Sequence, residues 1–173
     1  PELLYEAVIE VNERCSAEGE ILEPLDSMEA QRSLKKAFDR GIRSVAICFM
    51  HGYRYRDHEA AVAEIARRIG FTQISVSHEV SPLMKFVGRG DTTVVDAYVS
   101  PILMRYVDMV KSQVGDARIM FMQSNGGLVD ARYFQGKDSI LSGPAGGIVG
   151  AAKTAKMAGF DKIIGFDMGG TST

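Results

Sequence analysis

Hydrophobic and polar positions change their period several times along this chain, and each change marks an element. The stretches "EAVIEVNERCS" and "EILEPLD" flank Ala17, Glu18 and Gly19. With the glycine as turn former they predict a β-hairpin; a helix over the first stretch is the alternative. The period then lengthens to 3.6. Leu34, Ala37 and Phe38 share a helical face, Asp26 stands at the N-cap with Glu29 completing a capping box, and Gly41 supplies the stop. "SVAICFM" predicts a buried strand, Asp57 caps a second helix through Ala61, Ile65 and Ile69 to Gly70, and "QISVSHE" predicts another strand.

From Asp91 a long helical pattern carries Val94, Val95, Tyr98, Ile102, Leu103 and Val107. Pro101 removes a backbone donor inside it and is predicted to kink it or split it in two. "RIMFMQ" reads as a strand followed by the turn "SNGG". After a short segment around Tyr133, "LSGPAGGIVGAAKTAKMAGF" predicts a helix opened by Pro144 near its first turn, and Ile163, Ile164 and Phe166 a terminal strand. Strands alternating with helices predict an α/β layered architecture. Internal repeats, low-complexity tracts and linkers are not found.

Composition narrows the classes of function. The chain has 173 residues, 46% hydrophobic and 24% charged, enough to bury a sizeable core. A net charge of -2 and a pI near 6.0, with no basic cluster interleaved with aromatics, argue against nucleic-acid binding. No apolar run approaches the roughly 20 residues that span a bilayer, and no leader pattern is seen, so the expected compartment is the cytoplasm. Cys15 and Cys48 lack metal-ligand spacing and are expected to be reduced, with Cys48 in the core. Pro1 in place of Met suggests an excised or processed segment.

The last predicted helix is chemically odd, because Gly146, Gly147 and Gly150 each weaken it by about 1 kcal/mol relative to Ala. Ala145, Ala151, Ala152 and Ala155 keep the neighbouring positions small. Such a helix suits close approach by a backbone or a nucleotide, or else simple tight helix packing. After the terminal strand, Asp167 is placed to bind Mg²⁺ directly or through water. Gly169 and Gly170 let backbone N–H groups converge on phosphate oxygens, and Thr171, Ser172 and Thr173 add hydroxyls; a ligand-free tight turn is the plain alternative. The lysine of a P-loop is missing, and so is Gly-x-Gly-x-x-Gly.

Weaker candidates complete the inventory. Ser124, Asn125 and Gly126 follow a strand, where α/β sheets place ligands, yet Asn-Gly is also a common turn pair. His51, His58 and Glu59 invite a metal reading, but His58 at a helix start fits a capping or solvated residue better, and His78 reads as a surface residue. Arg89 and Asp91 near Thr92 face a phosphate or cap the long helix.

"LSGPAGGIVGAA", followed by "IGFDMGGTST" and preceded by "MQSNGG", resembles the ATP-dependent hydantoinase/oxoprolinase family, specifically its A-type polypeptide. "HGYRYRDHE" and "TTVVDAYVSPIL" extend the resemblance over most of the chain. The resemblance implies the RNase H-like fold of the actin, sugar-kinase and heat-shock ATPase superfamily, in which two domains close over ATP. It makes Gly169–Gly170–Thr171 the second phosphate loop, with residues 1–26 as a hairpin, 27–142 as an RNase H-like segment and 143–173 opening the next domain. The implied activity is ATP-driven opening of a five-membered cyclic amide, 5-oxoproline or a hydantoin, with a B-type chain as partner, separate or fused. A segment lacking the first phosphate loop is expected to be inactive alone. The alternatives are a sugar-kinase or chaperone-type ATPase, a subunit of an ATP-dependent ketone carboxylase, or a non-catalytic binding module.

Overall fold

Asp26 and Gly41 bound the first long helix, and the rest of the first half is built outward from it. The computed structural model describes residues 3–168. They fall into two compact units, one ending at Ile102 and the other beginning at Leu103. The first contains β1 (Arg14–Cys15), β2 (Ile21–Glu23), α1 (Ser27–Asp39), β3 (Ser44–Ile47), α2 (Asp57–Ile69), β4 (Gln73–Val76), a single turn α3 (Ser77–Val80) and the start of α4 (Phe86–Val114).

β3, α2 and β4 form a parallel βαβ unit, with Ser44 opposite Gln73 and Ile47 opposite Val76. Its core is made by Ala30 and Leu34 of α1, Val62, Ile65 and Ala66 of α2, and Ile47 and Val76 of the strands. Burying side chains of this size contributes about 1.5–3 kcal/mol for each of the larger ones. Phe38 meets Phe71 edge-on at 5.4 Å, and the Arg43 guanidinium lies 3.9 Å over the Phe38 ring.

The hairpin forms as expected and the helical alternative does not, since β1 and β2 pair antiparallel. Its turn is held by the first unit's own loop: Tyr55 OH donates to Ala17 O at 3.2 Å, and the Tyr55 ring occupies the space a side chain at Gly19 would need. Gly19 also has φ +97°, a conformation that disfavours every other residue type.

Several boundaries differ from the sequence reading, each for a local reason. Asp26 Oδ1 accepts the Glu29 N–H at 2.9 Å, but Glu29 Oε2 accepts from Asn12 Nδ2 at 3.0 Å instead of closing the capping box. The Asp26 N–H is already taken by Asn12 O at 3.0 Å. Asp57 is the first residue of α2, not its cap; Arg56 precedes it without a side-chain cap bond. The Asp57 carboxylate stands in the first turn, where the helix dipole favours a negative charge. The strand expected over "QISVSHE" ends at Val76 because Ser77 and His78 turn toward Glu59.

α4 starts at Phe86, earlier than its pattern indicated, and runs 29 residues through Pro101 without dividing. Proline inside a helix costs about 3 kcal/mol. Burial of Thr93, Ala97 and Val107 along α4 offsets it.

The second unit holds the rest of α4, β5 (Met120–Met122), β6 (Leu128–Asp130), a 3₁₀ turn (Ala131–Tyr133), the short α5 (Gly136–Ser139) and α6 (Ser142–Met157). β5 and β6 are an antiparallel hairpin with Phe121 opposite Val129; the sequence reading had only the first of its strands. Val107, Ala131 and Phe134 make its core, and Phe121 stacks on Phe134 at 5.0 Å. The expected terminal strand is not formed. Residues 162–168 carry no regular structure, and Ile164 and Phe166 are 98% and 80% exposed. A strand needs a ladder partner for its N–H and C=O groups, and no strand pairs with this segment among the described residues. No helix among them is long and apolar enough to cross a membrane.

Gly19→Ala tests the hairpin anchor. A methyl group there would stand 2.5 Å from Tyr55 Cε1 in a left-handed backbone. The substitution is expected to lower stability by about 1–3 kcal/mol in urea denaturation; an unchanged midpoint would show that the Tyr55 contact is not formed.

Candidate functional site

In the second unit Gly126, Gly146, Gly147 and Asp167 lie on or beside α6. The turn after β5 is an Asx turn: Asn125 Oδ1 accepts the Gly127 N–H at 2.8 Å, and Gly126 has φ +82°. A Cβ at Gly126 would stand 3.3 Å from Val149 Cγ2, so the turn lies against α6. Gly146 faces β5, with Met122 Cγ 3.6 Å from the place of its missing Cβ. At Gly147 the same position lies 3.3 Å from Asp167 Oδ2. The glycine helix and the acid at the far end of the sequence motif are therefore neighbours. No residue of α6 is buried within this chain. Gly150 has open space around it. Gly169, Gly170, Thr171, Ser172 and Thr173 lie outside the described residues.

Asp167 is exposed. Among the described residues there is no group of three or more His, Cys, Asp or Glu able to hold a metal. A single accessible carboxylate still fits Mg²⁺, which takes one or two protein carboxylates and keeps its waters. It does not fit a closed protein cage of the zinc type.

The first unit contains a polar cluster that the sequence reading missed. Glu59 is 0% exposed, and its two oxygens receive four hydrogen bonds. Oε1 accepts from Phe49 N–H at 2.8 Å and Ser77 Oγ at 2.5 Å; Oε2 accepts from His78 N–H at 3.1 Å and His78 Nδ1 at 2.7 Å. Phe49 follows β3, while Ser77 and His78 follow β4, so one carboxylate joins the carboxyl ends of both parallel strands. Arg89, also fully buried, donates through Nε to Ser77 Oγ at 3.0 Å, and through its terminal nitrogens to the carbonyls of Phe49, Met50 and Leu83. Gly52 is required beside it, because a Cβ there would overlap the Glu59 carboxylate.

These contacts correct three readings. His78 is not a surface residue: its side chain is 8% exposed and held by Glu59. His58 neither caps α2 nor stands in solvent; its Nδ1 donates to Glu13 Oε2 at 2.7 Å, and its side chain is 15% exposed. Arg89 has its guanidinium spent on protein acceptors, which leaves neither a phosphate contact nor a helix cap for it. The signal was present in the pattern, since Glu59 lies on the same helical stripe as Val62, Ala63 and Ala66. An acid on an apolar stripe must find donors inside.

Charge chemistry follows from these neighbours. The Cys48 thiol is pushed up chiefly by burial, with Glu59 adding to the shift and the Ser77 hydrogen bond and Arg89 opposing it. Burial also raises Cys15, helped by Glu13 and Asp57. Neither cysteine is disulfide-bonded, and neither is an activated nucleophile. On β6 the hydrogen bonds from the Arg132 side chain and backbone hold the Asp130 carboxyl far below the usual carboxylate range.

The chain is thus a mixed α/β protein that sets a glycine-bearing helix beside an exposed acid and an Asx turn. The chain belongs to the hydantoinase/oxoprolinase family: residues 89–173 match the hydantoinase/oxoprolinase model, and residues 1–70 match the model of that family's N-terminal region. It is 40% identical to a 5-oxoprolinase of Saccharomyces cerevisiae, over 98% of this chain and 16% of the relative. It is 26% identical to the acetophenone carboxylase gamma subunit of Aromatoleum aromaticum, over 99% of this chain and 25% of that subunit. Among solved structures, the ATP-dependent caprolactamase from Pseudomonas jessenii superposes with a TM-score of 0.80 at 28% identity, over 93% of this chain and 24% of that one. The chain thus spans about a sixth to a quarter of the length of these relatives.

Glu59→Ala would leave the Phe49 and His78 N–H groups without acceptors in a buried site. The expected loss is about 3 kcal/mol or more, read as a lowered urea midpoint. A loss below about 1 kcal/mol would mean that water replaces the carboxylate and that the cluster is not a structural bracket.

Proposed function

We propose that this chain is part of an enzyme that uses ATP to open a five-membered cyclic amide, 5-oxoproline or a hydantoin. The observation that carries the reading is the approach of Asp167 to the Gly147 backbone, directly before the Gly169–Thr173 motif. A lactam carbonyl is a poor electrophile, and ATP supplies the γ-phosphoryl group that turns its oxygen into a leaving group. The protein's task is then positioning and charge neutralisation. Asp167 would hold Mg²⁺, which would neutralise charge on the phosphates. Gly146 and Gly147 keep the adjoining face of α6 free of side chains, and Gly169 and Gly170 bring backbone donors, joined by the hydroxyls of Thr171, Ser172 and Thr173. Asn125 and Gly126 stand on the substrate side, while the Ser124 hydroxyl is taken up by the backbone of Asp138 and Leu141.

Family membership and the 5-oxoprolinase and caprolactamase relatives support this activity for the longer protein. The fold proposed for the longer protein is RNase H-like, of the actin and sugar-kinase type, with residues 143–173 opening its next domain. The partner is a B-type hydantoinase/oxoprolinase chain, separate or fused; the subunit nature of the acetophenone carboxylase relative favours such an assembly. Two unpaired thiols favour the cytoplasm. That same relative supports a second reading, a subunit of an ATP-dependent ketone carboxylase.

The experiment is to supply the full-length protein, with its partner chain, with 5-oxoproline, a hydantoin, or a ketone plus bicarbonate, and to follow phosphate release and product together. Ring opening coupled to ATP hydrolysis is expected. Product formed only from the ketone would replace the first reading by the second. Asp167→Asn should lower ATP-dependent turnover by at least about tenfold without changing the melting temperature; wild-type turnover would remove Asp167 from the site.

Gly147→Leu separates close approach from helix strength. Leucine gains about 1 kcal/mol of helix propensity, yet its side chain displaces the Asp167 carboxylate. Turnover should fall roughly a hundredfold while stability holds; a more stable variant with full activity would show that Gly147 is not required for approach.

A further inference from the structure

Ser124 spends both bonding capacities of its hydroxyl on the backbone. Its N–H and its Oγ–H both reach Asp138 O, each at 2.7 Å, and Oγ accepts the Leu141 N–H at 3.0 Å. Asp138 lies in α5, and Leu141 is the residue from which α6 starts. One hydroxyl at the end of β5 therefore ties the exit of one helix to the entrance of the next. α6 has no side-chain cap of its own, so this bond takes the place of one. Gln123 reinforces the junction, its Nε2 donating to Asp138 Oδ2 at 3.2 Å.

The position of that entrance matters because α6 carries Gly147 one and a half turns further on. Each residue of helix rotates the face by about 100°, so an entrance that frays or slips turns Gly147 away from the Asp167 carboxylate. We infer that Ser124 is a positioning residue for phosphate handling: its hydroxyl fixes the start of α6 and thereby the alignment of Gly147 with Asp167, and it makes no contact with the cyclic amide. The inference rests on the proposed ATP-dependent reading and assigns Ser124 a role within it.

The test uses the full-length protein with Ser124→Ala and Ser124→Thr, threonine retaining the hydroxyl. Losing one such hydrogen bond should raise KM for ATP about tenfold in Ser124→Ala, with kcat and KM for the cyclic amide within about twofold of wild type. Ser124→Thr should recover most of the ATP affinity, and thermal melts should show both variants folded. Hydrogen exchange at residues 142–147 should quicken in Ser124→Ala alone. Unchanged KM for ATP overturns the inference. So does a rise confined to KM for the cyclic amide, which would make Ser124 a substrate contact. If the wild-type protein opens no ring with ATP, exchange decides separately: quickened exchange keeps the latch and removes the ATP reading, and unchanged exchange removes the latch.

Discussion

A carboxylate buried without water must be surrounded by donors, and Glu59 imposes that requirement on the whole first unit. Its partners come from the end of β3, the end of β4 and the turn α3, and Arg89 of α4 joins through Ser77. Three chain segments separated in sequence are thereby fixed, together with the helix that carries Glu59, at one end of a two-stranded parallel sheet. The apolar core between α1, α2 and the strands supplies most of the cohesion, but it is non-directional. The hydrogen bonds around Glu59 decide where each strand stops and where the chain leaves it. Gly52 records the same constraint from the other side, as the position where any side chain would enter the carboxylate's space.

The second unit is organised on a different physical basis. Its hairpin, short helices and α6 are joined mainly through backbone groups, with Ser124 and Asn125 as local hydrogen-bonding partners and glycines where approach must be close. Small residues make up much of α6, and within this chain none of its residues is buried. Membership of the hydantoinase/oxoprolinase family places that accessible surface in proteins of much greater length than this chain.

Much of this was legible in the residues. Leu34, Ala37 and Gly41 announced α1 because a helical stripe and its stop are local features, and Gly147 was marked as a point of approach because three glycines in one helix need a reason. What escaped notice depended on distant partners. His78 looked like surface because nothing next to it in sequence reveals Glu59, nineteen residues earlier. Pro101 looked like a break because its cost is local and the burial of Val107 that offsets it is not. Ile163, Ile164 and Phe166 carry strand-forming chemistry, but propensity alone cannot supply the neighbour that a ladder requires.

The Asn125–Gly126 turn also sets a chemical lifetime. An Asn-Gly pair ages when the glycine's backbone nitrogen attacks the asparagine side-chain carbonyl, closing a succinimide and expelling ammonia. In this turn the Gly126 N–H is occupied by Gln123 O at 2.9 Å, and the asparagine oxygen is held on the Gly127 N–H. Both reacting groups are turned to other partners, so the hydrogen bonds that shape the loop also slow its conversion to aspartate. An added negative charge at this point would stand beside Val149 of α6.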